Sequence, residues 1–207
     1  QWQNQTLGMN NVAPPGSTDT ARANWGGATV VLNSDVTVAT YQAGVDENGG
    51  INIANLGILN TTGDISMGHT DGETGTMTVQ AGGAANAGNI LYIGNVAGST
   101  GLATISGTVG STSHLWIGHA ATATGTMNIN DGGIVNVGGM LGLGWNGGTG
   151  YLNVNDGGTL NLAQIHGDGS TSVQNGSMID ILGTGKITKT SNFVGVFDTY
   201  ASNGLFR

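Results

Sequence analysis

A repeat of about 25 residues dominates the sequence and constrains the fold more than any other feature. The segments TATGTMNINDGG (122–133) and GGTGYLNVNDGG (147–158) are nearly the same, and they start 25 residues apart. Cutting the chain after recurring glycines gives five consecutive segments whose lengths agree closely: 51–75, 76–101, 102–125, 126–150 and 151–176. A fixed period of this length is typical of solenoid proteins, in which each repeat forms one coil.

Apolar and polar residues alternate inside each repeat, as in Met127-Asn128-Ile129. Alternation with a period of two predicts a β-strand with one buried face, and no repeat contains an apolar stripe typical of a helix. Short strands separated by Gly-rich corners predict an all-β fold, namely a single parallel β-helix (a β-solenoid) with about 25 residues per coil. The general preference for right-handed crossovers predicts a right-handed helix.

The two ends of the chain depart from the repeat and are predicted to cap one solenoid domain that spans residues 1–207. We expect an irregular N-terminal cap over 1–24, coils over 25–185 and a C-terminal cap over 186–207. Phe193, Phe197 and Tyr200 have the i, i+4, i+7 spacing of one helix face, which predicts a short helical lid. Such a lid would cover the unpaired strand edge of the last coil, an edge that otherwise promotes association.

Few residues carry charge: 4 Lys and Arg and 12 Asp and Glu give a formal net charge of −8. Nucleic acids and anionic membrane surfaces require clusters of Lys and Arg, so neither is expected as a partner. No apolar run approaches the roughly 20 residues that cross a bilayer, so membrane insertion is not expected either. With 38% hydrophobic residues and 40 glycines, the chain is expected to fold with a surface of Asn, Thr, Ser and Gly.

Aligning the repeats on the glycine after one strand predicts two neighbouring columns of outward-facing side chains. The aligned segments are DISMGH (64–69), NILYIGN (89–95), SHLWIGH (113–119) and MLGLGW (140–145). The first outward column then contains Ser66, Tyr92, Trp116 and Gly142, and the second contains His69, Asn95, His119 and Trp145, with Asp168 as a further candidate.

This pattern predicts a carbohydrate-binding face, because exposed aromatic rings stack on sugars while their polar edges meet hydroxyl groups. The predicted binding residues are Tyr92, Trp116, His119, Trp145 and His69. The alternative is that aromatic residues at the corner only fold over the coil and shield it from water.

Four acidic residues lie at successive copies of one corner, in GVDENGG (44–50) and GHTDGETG (68–75). Stacking of the two corners would place Asp46 near Asp71 and Glu47 near Glu73, where like charges repel. A bound Ca²⁺ would relieve that repulsion, since it prefers carboxylate and carbonyl oxygens. The alternative, which we favour, is a solvated acidic edge, so no cofactor is expected.

The sequence does not contain a residue pattern typical of an enzyme. His69, His119 and Tyr92 are candidate bases for a polysaccharide lyase, but the central coils have no Lys or Arg to neutralise an acidic sugar. No Ser-His-Asp arrangement is discernible, and the acids cluster at turns rather than as a facing pair. Asp131 and Asp156 are interpreted as turn residues, because Asp-Gly suits tight turns with positive φ.

The repeat unit resembles that of a known group of proteins. Gly-Thr-hydrophobic-x-hydrophobic-x-x-Gly-Gly, followed by hydrophobic-x-hydrophobic-Gly, is similar to the β-helical repeats of secreted bacterial surface proteins. These include autotransporter passenger domains and exported proteins with a PEP-CTERM sorting tail. The segment PPGSTDTARANWGGATVVLNSDVTV (14–38) is similar to the start of such proteins. The resemblance implies secretion to the cell surface or the extracellular matrix.

We therefore expect a non-enzymatic, exported structural or adhesive protein, with self-association through solenoid faces or ends into filaments. The alternative is a polysaccharide-binding module attached to a polysaccharide-degrading enzyme. The two functions are separable, since a binding module requires a saturable affinity for a glycan and a matrix protein requires ordered self-association.

Overall fold

The structure, a computed structural model, describes residues 3–4, 9–10, 15–23, 26–165, 173 and 176–189. Over these residues the chain is all-β and forms a parallel β-solenoid of about six turns with about 25 residues per coil. The predicted fold class is therefore confirmed. The predicted helix around Phe193, Phe197 and Tyr200 lies outside the described residues, as do Asp168 and parts of the predicted N-terminal cap.

The coils stack their strands in three parallel faces, here called the first, second and third faces. The first face contains Thr29–Leu32, Gly49–Ile53, Thr74–Val79, Thr100–Ile105, Thr124–Ile129, Thr149–Val154 and Met178–Ile181. The second contains Asp35–Val38, Ile58–Thr61, Ala84–Ala87, Thr108–Ser111, the first part of Ile134–Leu143, Thr159–Ile165 and Lys186–Lys189. The third contains Thr20–Ala23, Thr40–Ala43, Ile65–Met67, Leu91–Ile93, Leu115–Ile117 and the last part of Ile134–Leu143.

Two further elements lie outside the three faces. Gln3–Asn4 pairs with Met9–Asn10 in an antiparallel arrangement. A short 3₁₀ helix, Trp145–Gly147, forms the corner after the strand that ends at Leu143.

The solenoid extends beyond both predicted limits of its coils. Thr20–Ala23, placed in the N-terminal cap by the sequence, pairs in parallel with Thr40–Ala43. Lys186–Lys189, placed in the C-terminal cap, pairs in parallel with Thr159–Ile165. Each of these strands has four residues, which is too short for alternation alone to distinguish a terminal strand from an irregular segment.

Inward-facing side chains from the three faces form one continuous core along the solenoid. On the first face, parallel pairing brings Met77, Ala103 and Met127 into register, and each is at most 1% exposed. The predicted inward residues of the third face are likewise buried: Ile65, Met67, Leu91, Ile93, Leu115, Ile117, Leu141 and Leu143. Since strands stack about 4.8 Å apart, each apolar side chain packs against its counterparts in the adjacent coils.

Two columns of glycine form the sharp corner between the third and the first face. The column at the end of the third face has positive φ values of 71°, 76°, 69° and 70° at Gly68, Gly94, Gly118 and Gly144. The second column, in register at the start of the first face, contains Gly75, Gly101, Gly125 and Gly150. A Cβ atom on Gly101 would lie 2.1 Å from the backbone nitrogen of Gly94. The close backbone contact therefore explains why these glycines repeat, and it fixes the position of the residue that follows the first glycine.

The NDGG segments form turns, as predicted. The N–H of Gly158 donates to the carbonyl of Asn155 at 2.9 Å, and Gly157 has a φ of 73°. The carboxylate of Asp156 also accepts hydrogen bonds from the hydroxyl and the N–H of Thr184 in the next coil. These bonds lower the pKa of Asp156. They also link the turn of Asp156 to the adjacent turn of Thr184.

Candidate functional site

The outer side of the third face carries the residues predicted to form a functional site. Tyr92 lies in register between Ser66 and Trp116, and Trp116 pairs with Gly142. The second predicted column follows the positive-φ glycines, since the N–H of His119 donates to the carbonyl of Gly94 at 2.8 Å. Both columns are therefore arranged as the sequence predicts.

Four of the five predicted binding residues form one group with His114, here called the aromatic cluster: Tyr92, His114, Trp116, His119 and Trp145. The ring centroids of Tyr92 and His119 are 5.0 Å apart in an edge-to-face arrangement. Trp116 lies 5.8 Å from His119 and 5.5 Å from Trp145, with tilted rings. These separations fall within the range in which aromatic side chains attract one another. The cluster thus spans three successive coils.

Trp116 is buried within this cluster, and its predicted exposure is wrong. Only 7% of the residue is accessible, although its side chain points away from the core. The ring covers Gly142 in the next coil, where a Cβ atom would lie 2.1 Å from Cζ3 of Trp116. Because glycine leaves that space open, Trp116 shields the backbone, while Tyr92, His119 and Trp145 remain half-exposed.

His114 is a member of the cluster that the sequence analysis missed. Its ring centroid lies 5.5 Å from that of Trp116, and its Nδ1 accepts a hydrogen bond from the N–H of Met140 at 3.1 Å. The available signal was the same alternation used for the columns. Residues 114 and 116 are two apart in an extended segment and therefore face the same side of the sheet.

His69 belongs to a different group of side chains, which we call the polar row: Arg22, Gln42, Ser66, His69 and Asn95. Nε of Arg22 donates to Oε1 of Gln42 at 3.0 Å, and Nε2 of Gln42 lies 3.0 Å from Nε2 of His69. Nδ1 of His69 lies 3.1 Å from the hydroxyl oxygen of Ser66, which also accepts from Nδ2 of Asn95. The polar row continues the line of the aromatic cluster toward the N-terminal coils.

The hydrogen bonds of the polar row fix His69 in its neutral form. Arginine only donates, so the oxygen of the Gln42 amide faces Arg22 and its NH₂ group faces His69. Nε2 of His69 must then accept, and Nδ1 carries the proton that is donated to Ser66. Burial lowers the pKa of His69, the positive charge of Arg22 lowers it further, and Asp64 acts in the opposite direction.

Two groups of the aromatic cluster, His119 and Tyr92, have pKa values shifted toward the neutral form. Burial lowers the pKa of His119, although a hydrogen bond with the backbone of Asn95 acts in the opposite direction. Burial raises the pKa of Tyr92, and the negative charge of Asp64 raises it further.

The two corners that carry the four acidic residues differ in length, and the stacking of these residues stays a prediction from the sequence. The corner from Gly44 to Gly49 is two residues shorter than the corner from Gly68 to Gly75, although both begin at a positive-φ glycine and end in register. Asp46, Glu47 and Asp71 are exposed, and Glu73 is half-buried. Glu47 accepts a hydrogen bond from the N–H of Gly26.

Within the described residues, no three His, Cys, Asp or Glu side chains come together in a group suited to a metal ion. Calcium binding at Asp46, Glu47, Asp71 and Glu73 therefore stays a prediction from the sequence.

The stacked faces and outer columns define the class of the chain as a β-solenoid repeat protein. Comparison with known proteins adds no narrower family: no family model matches the chain, and no curated protein or solved structure matches it at a significant level. None of the helices in the described part of the chain has the length and hydrophobicity of a membrane span.

Proposed function

We propose that this chain is a secreted, non-enzymatic structural or adhesive solenoid of the bacterial cell surface or extracellular matrix. The observation that carries the proposal is the uncharged central part of the first face, described below. Secretion, and the narrower relation to autotransporter passenger domains or PEP-CTERM-type exported proteins, rest on the pattern of the repeats in the sequence.

The central four strands of the first face offer a regular uncharged surface for lateral association. Four strands, Thr74–Val79, Thr100–Ile105, Thr124–Ile129 and Thr149–Val154, contain no charged residue. Parallel pairing places Leu102, Thr126 and Tyr151 in one outward column, in which Leu102 is 38% and Tyr151 39% exposed. Charged side chains are the usual means of preventing association of β-sheet surfaces, and these four strands lack them.

The side-chain contacts of His69 and His114 support a structural role for these two histidines. Both ring nitrogens of His69 engage neighbouring side chains, and Nδ1 of His114 accepts from a backbone N–H. A general base must instead present a free nitrogen to the substrate proton. These histidines therefore join adjacent coils.

Concentration-dependent assembly tests the structural proposal. Wild-type protein is expected to form ordered filaments or sheets as its concentration rises, observed by electron microscopy and light scattering. The double variant Leu102→Lys/Tyr151→Lys should stay monodisperse, because two cations on the first face repel a second copy. Ile134→Lys/Leu182→Lys is the matched control, because it adds the same charge outside those four strands. The two residues are 40% and 52% exposed. Monodisperse wild-type particles at every concentration would overturn the proposal.

A second candidate function is polysaccharide binding by the aromatic cluster. It is favoured by half-exposed Trp145, whose ring lies 5.5 Å from that of Trp116 at one end of the cluster. Trp145→Ala is the informative variant, because Trp116 is buried and its replacement would also destabilise the fold. Retention on a polysaccharide panel is expected to weaken in Trp145→Ala, and unchanged retention on every polysaccharide would exclude this function.

A further inference from the structure

A column of asparagines runs along the outer side of the second face. Parallel pairing places Asn60, Asn86, Gly110, Asn136 and Asn161 in register in five successive coils. Nδ2 of Asn86 donates to Oδ1 of Asn60 at 3.0 Å, and Nδ2 of Asn161 donates to Oδ1 of Asn136 at 3.0 Å. The side-chain amides thus form a ladder in which each NH₂ group points toward the N-terminal coils.

Gly110 interrupts this ladder in its middle coil. Oδ1 of Asn86 faces the gap, since a Cβ atom on Gly110 would lie 3.3 Å from it. Nδ2 of Asn136 faces the gap from the other side, because Oδ1 of the same amide is turned toward Asn161. Neither atom has a hydrogen-bond partner among the described residues. The gap therefore has an acceptor at one end and a donor at the other.

The gap opens into a groove of about 600 Å³ along the second face. This volume lies within the range of sites that bind small molecules. The groove is lined by uncharged residues that include Asn86, Gly110, Ser111, Thr112, Asn136 and Asn161. Ser111 is 6% exposed, and its hydroxyl has no hydrogen-bond partner in the described part of the chain. An uncharged polar group next to Gly110 could form hydrogen bonds with both Oδ1 of Asn86 and Nδ2 of Asn136.

We propose that the gap at Gly110 binds the acetamido group of an N-acetylated glycan that lies along this groove. The missing rung of the ladder is a carboxamide, and a secondary amide supplies the same two functions in opposite directions. Its N–H would donate to Oδ1 of Asn86, and its carbonyl would accept from Nδ2 of Asn136. A hydroxyl group is smaller than the missing rung, so sugars without the acetamido group are expected to bind more weakly.

A peptide also contains secondary amides, but the groove favours a glycan. Its lining is mainly apolar, with amide and hydroxyl groups at Asn86, Ser111 and Asn136 and no charged side chain. The groove also has one amide gap, whereas an extended peptide presents an amide at every residue and requires a row of partners. This site is separate from the aromatic cluster on the third face, and it does not depend on self-assembly of the solenoid.

Titration with two sugar pentamers of equal length tests the proposal. The β-1,4-linked N-acetylglucosamine pentamer is expected to bind the wild-type protein in a calorimetric or NMR titration. The β-1,4-linked glucose pentamer, which lacks the acetamido groups, should bind about tenfold more weakly or not at all, the effect of losing about one or two hydrogen bonds. Asn136→Ala, which removes the donor at an exposed position, should weaken binding by a similar factor.

Gly110→Asn provides the decisive variant, because it restores the missing rung. The glycine has no positive φ, and its added Cβ would meet only Oδ1 of Asn86, at 3.3 Å. The variant is therefore expected to melt at a higher temperature than the wild type while it loses affinity for the N-acetylglucosamine pentamer. Thr78→Asn on the first face is the control and should bind as the wild type does.

Four outcomes would overturn the proposal. They are undiminished binding by Gly110→Asn, equal binding of the glucose pentamer, absence of binding by the wild type, and binding of an N-acetylated peptide in place of the sugar.

Discussion

Thr122 has a positive φ at a position where the two adjacent coils have glycine. Its φ is 59°, and the equivalent positions, two residues before paired threonines, are Gly98 and Gly147, with φ values of 74° and 88°. A β-branched residue at positive φ is strained by roughly 1–3 kcal/mol. We expect Thr122→Gly to raise the free energy of unfolding by about 1 kcal/mol, because part of the relief is offset by the flexibility of glycine in the unfolded chain.

Urea denaturation measures this change, with Thr126→Gly as the control. Thr126 lies within the strand Thr124–Ile129, where glycine removes side-chain contacts and adds chain entropy. The control should therefore lose stability. Equal losses in both variants would show that Thr122 is not strained.

At the scale of the element, the polar row and the aromatic cluster make the stability of the third face depend on pH. The pKa values of His69 and His119 are lowered in the folded protein, so the unfolded chain binds more protons below about pH 6.5. The free energy of unfolding therefore has its full value above that pH. It decreases as the pH falls toward the pKa values that the two histidines have in the folded protein.

Denaturation midpoints between about pH 7.5 and about pH 5 measure this dependence. The double variant His69→Gln/His119→Gln should show a smaller decrease over the same interval than the wild type. A wild-type midpoint that is constant through this interval would contradict the assignment of neutral histidines.

The glycine corner gives the largest expected effect of a single methyl group. A Cβ atom on Gly101 would lie within 2.9 Å of three backbone atoms, in Gly94, Ile93 and Met67. Since backbone cannot move aside, Gly101→Ala should lower the free energy of unfolding by about 3 kcal/mol. Gly110→Ala is the matched control and should be neutral or stabilising, because its Cβ would meet only the exposed side chain of Asn86, which can move aside. Thermal melting compares the two, and similar melting temperatures would refute the steric explanation.

The strands and the outward columns were predictable from the sequence, whereas the packing of side chains on the outer side of the sheet was not. Alternation and the 25-residue period are enough to place Tyr92 beside Ser66 and Trp116, because parallel register follows directly from the period. The burial of Trp116 depends on the empty space over Gly142 and on His114 beside it, which are contacts between coils. Alternation specifies the side of a sheet that a residue faces, but it carries no information about what packs on that side.

At the scale of the whole molecule, the same small set of positions is repeated, so each coil is stabilised mainly by the coils next to it. Core residues, corner glycines and turn aspartates recur in register, and long-range contacts are predominantly those between adjacent coils. The positions that vary freely are the outward columns. The three outer faces can therefore differ in chemistry, with four uncharged strands on the first, an asparagine ladder on the second and an aromatic cluster on the third.

This organisation predicts that a complete coil can be removed without loss of the fold. Deleting residues 76–101 joins Gly75 to Leu102 and keeps the glycine register, so Ile65 would stack on Leu115 and Met67 on Ile117. The shortened protein should retain its β-sheet circular dichroism and a cooperative melt at a lower temperature, because one interface between coils is lost. Deleting 89–101 removes only the third-face part of the same coil and should abolish the cooperative transition. Similar melting of both deletion variants would show that the coil is not the unit of stability.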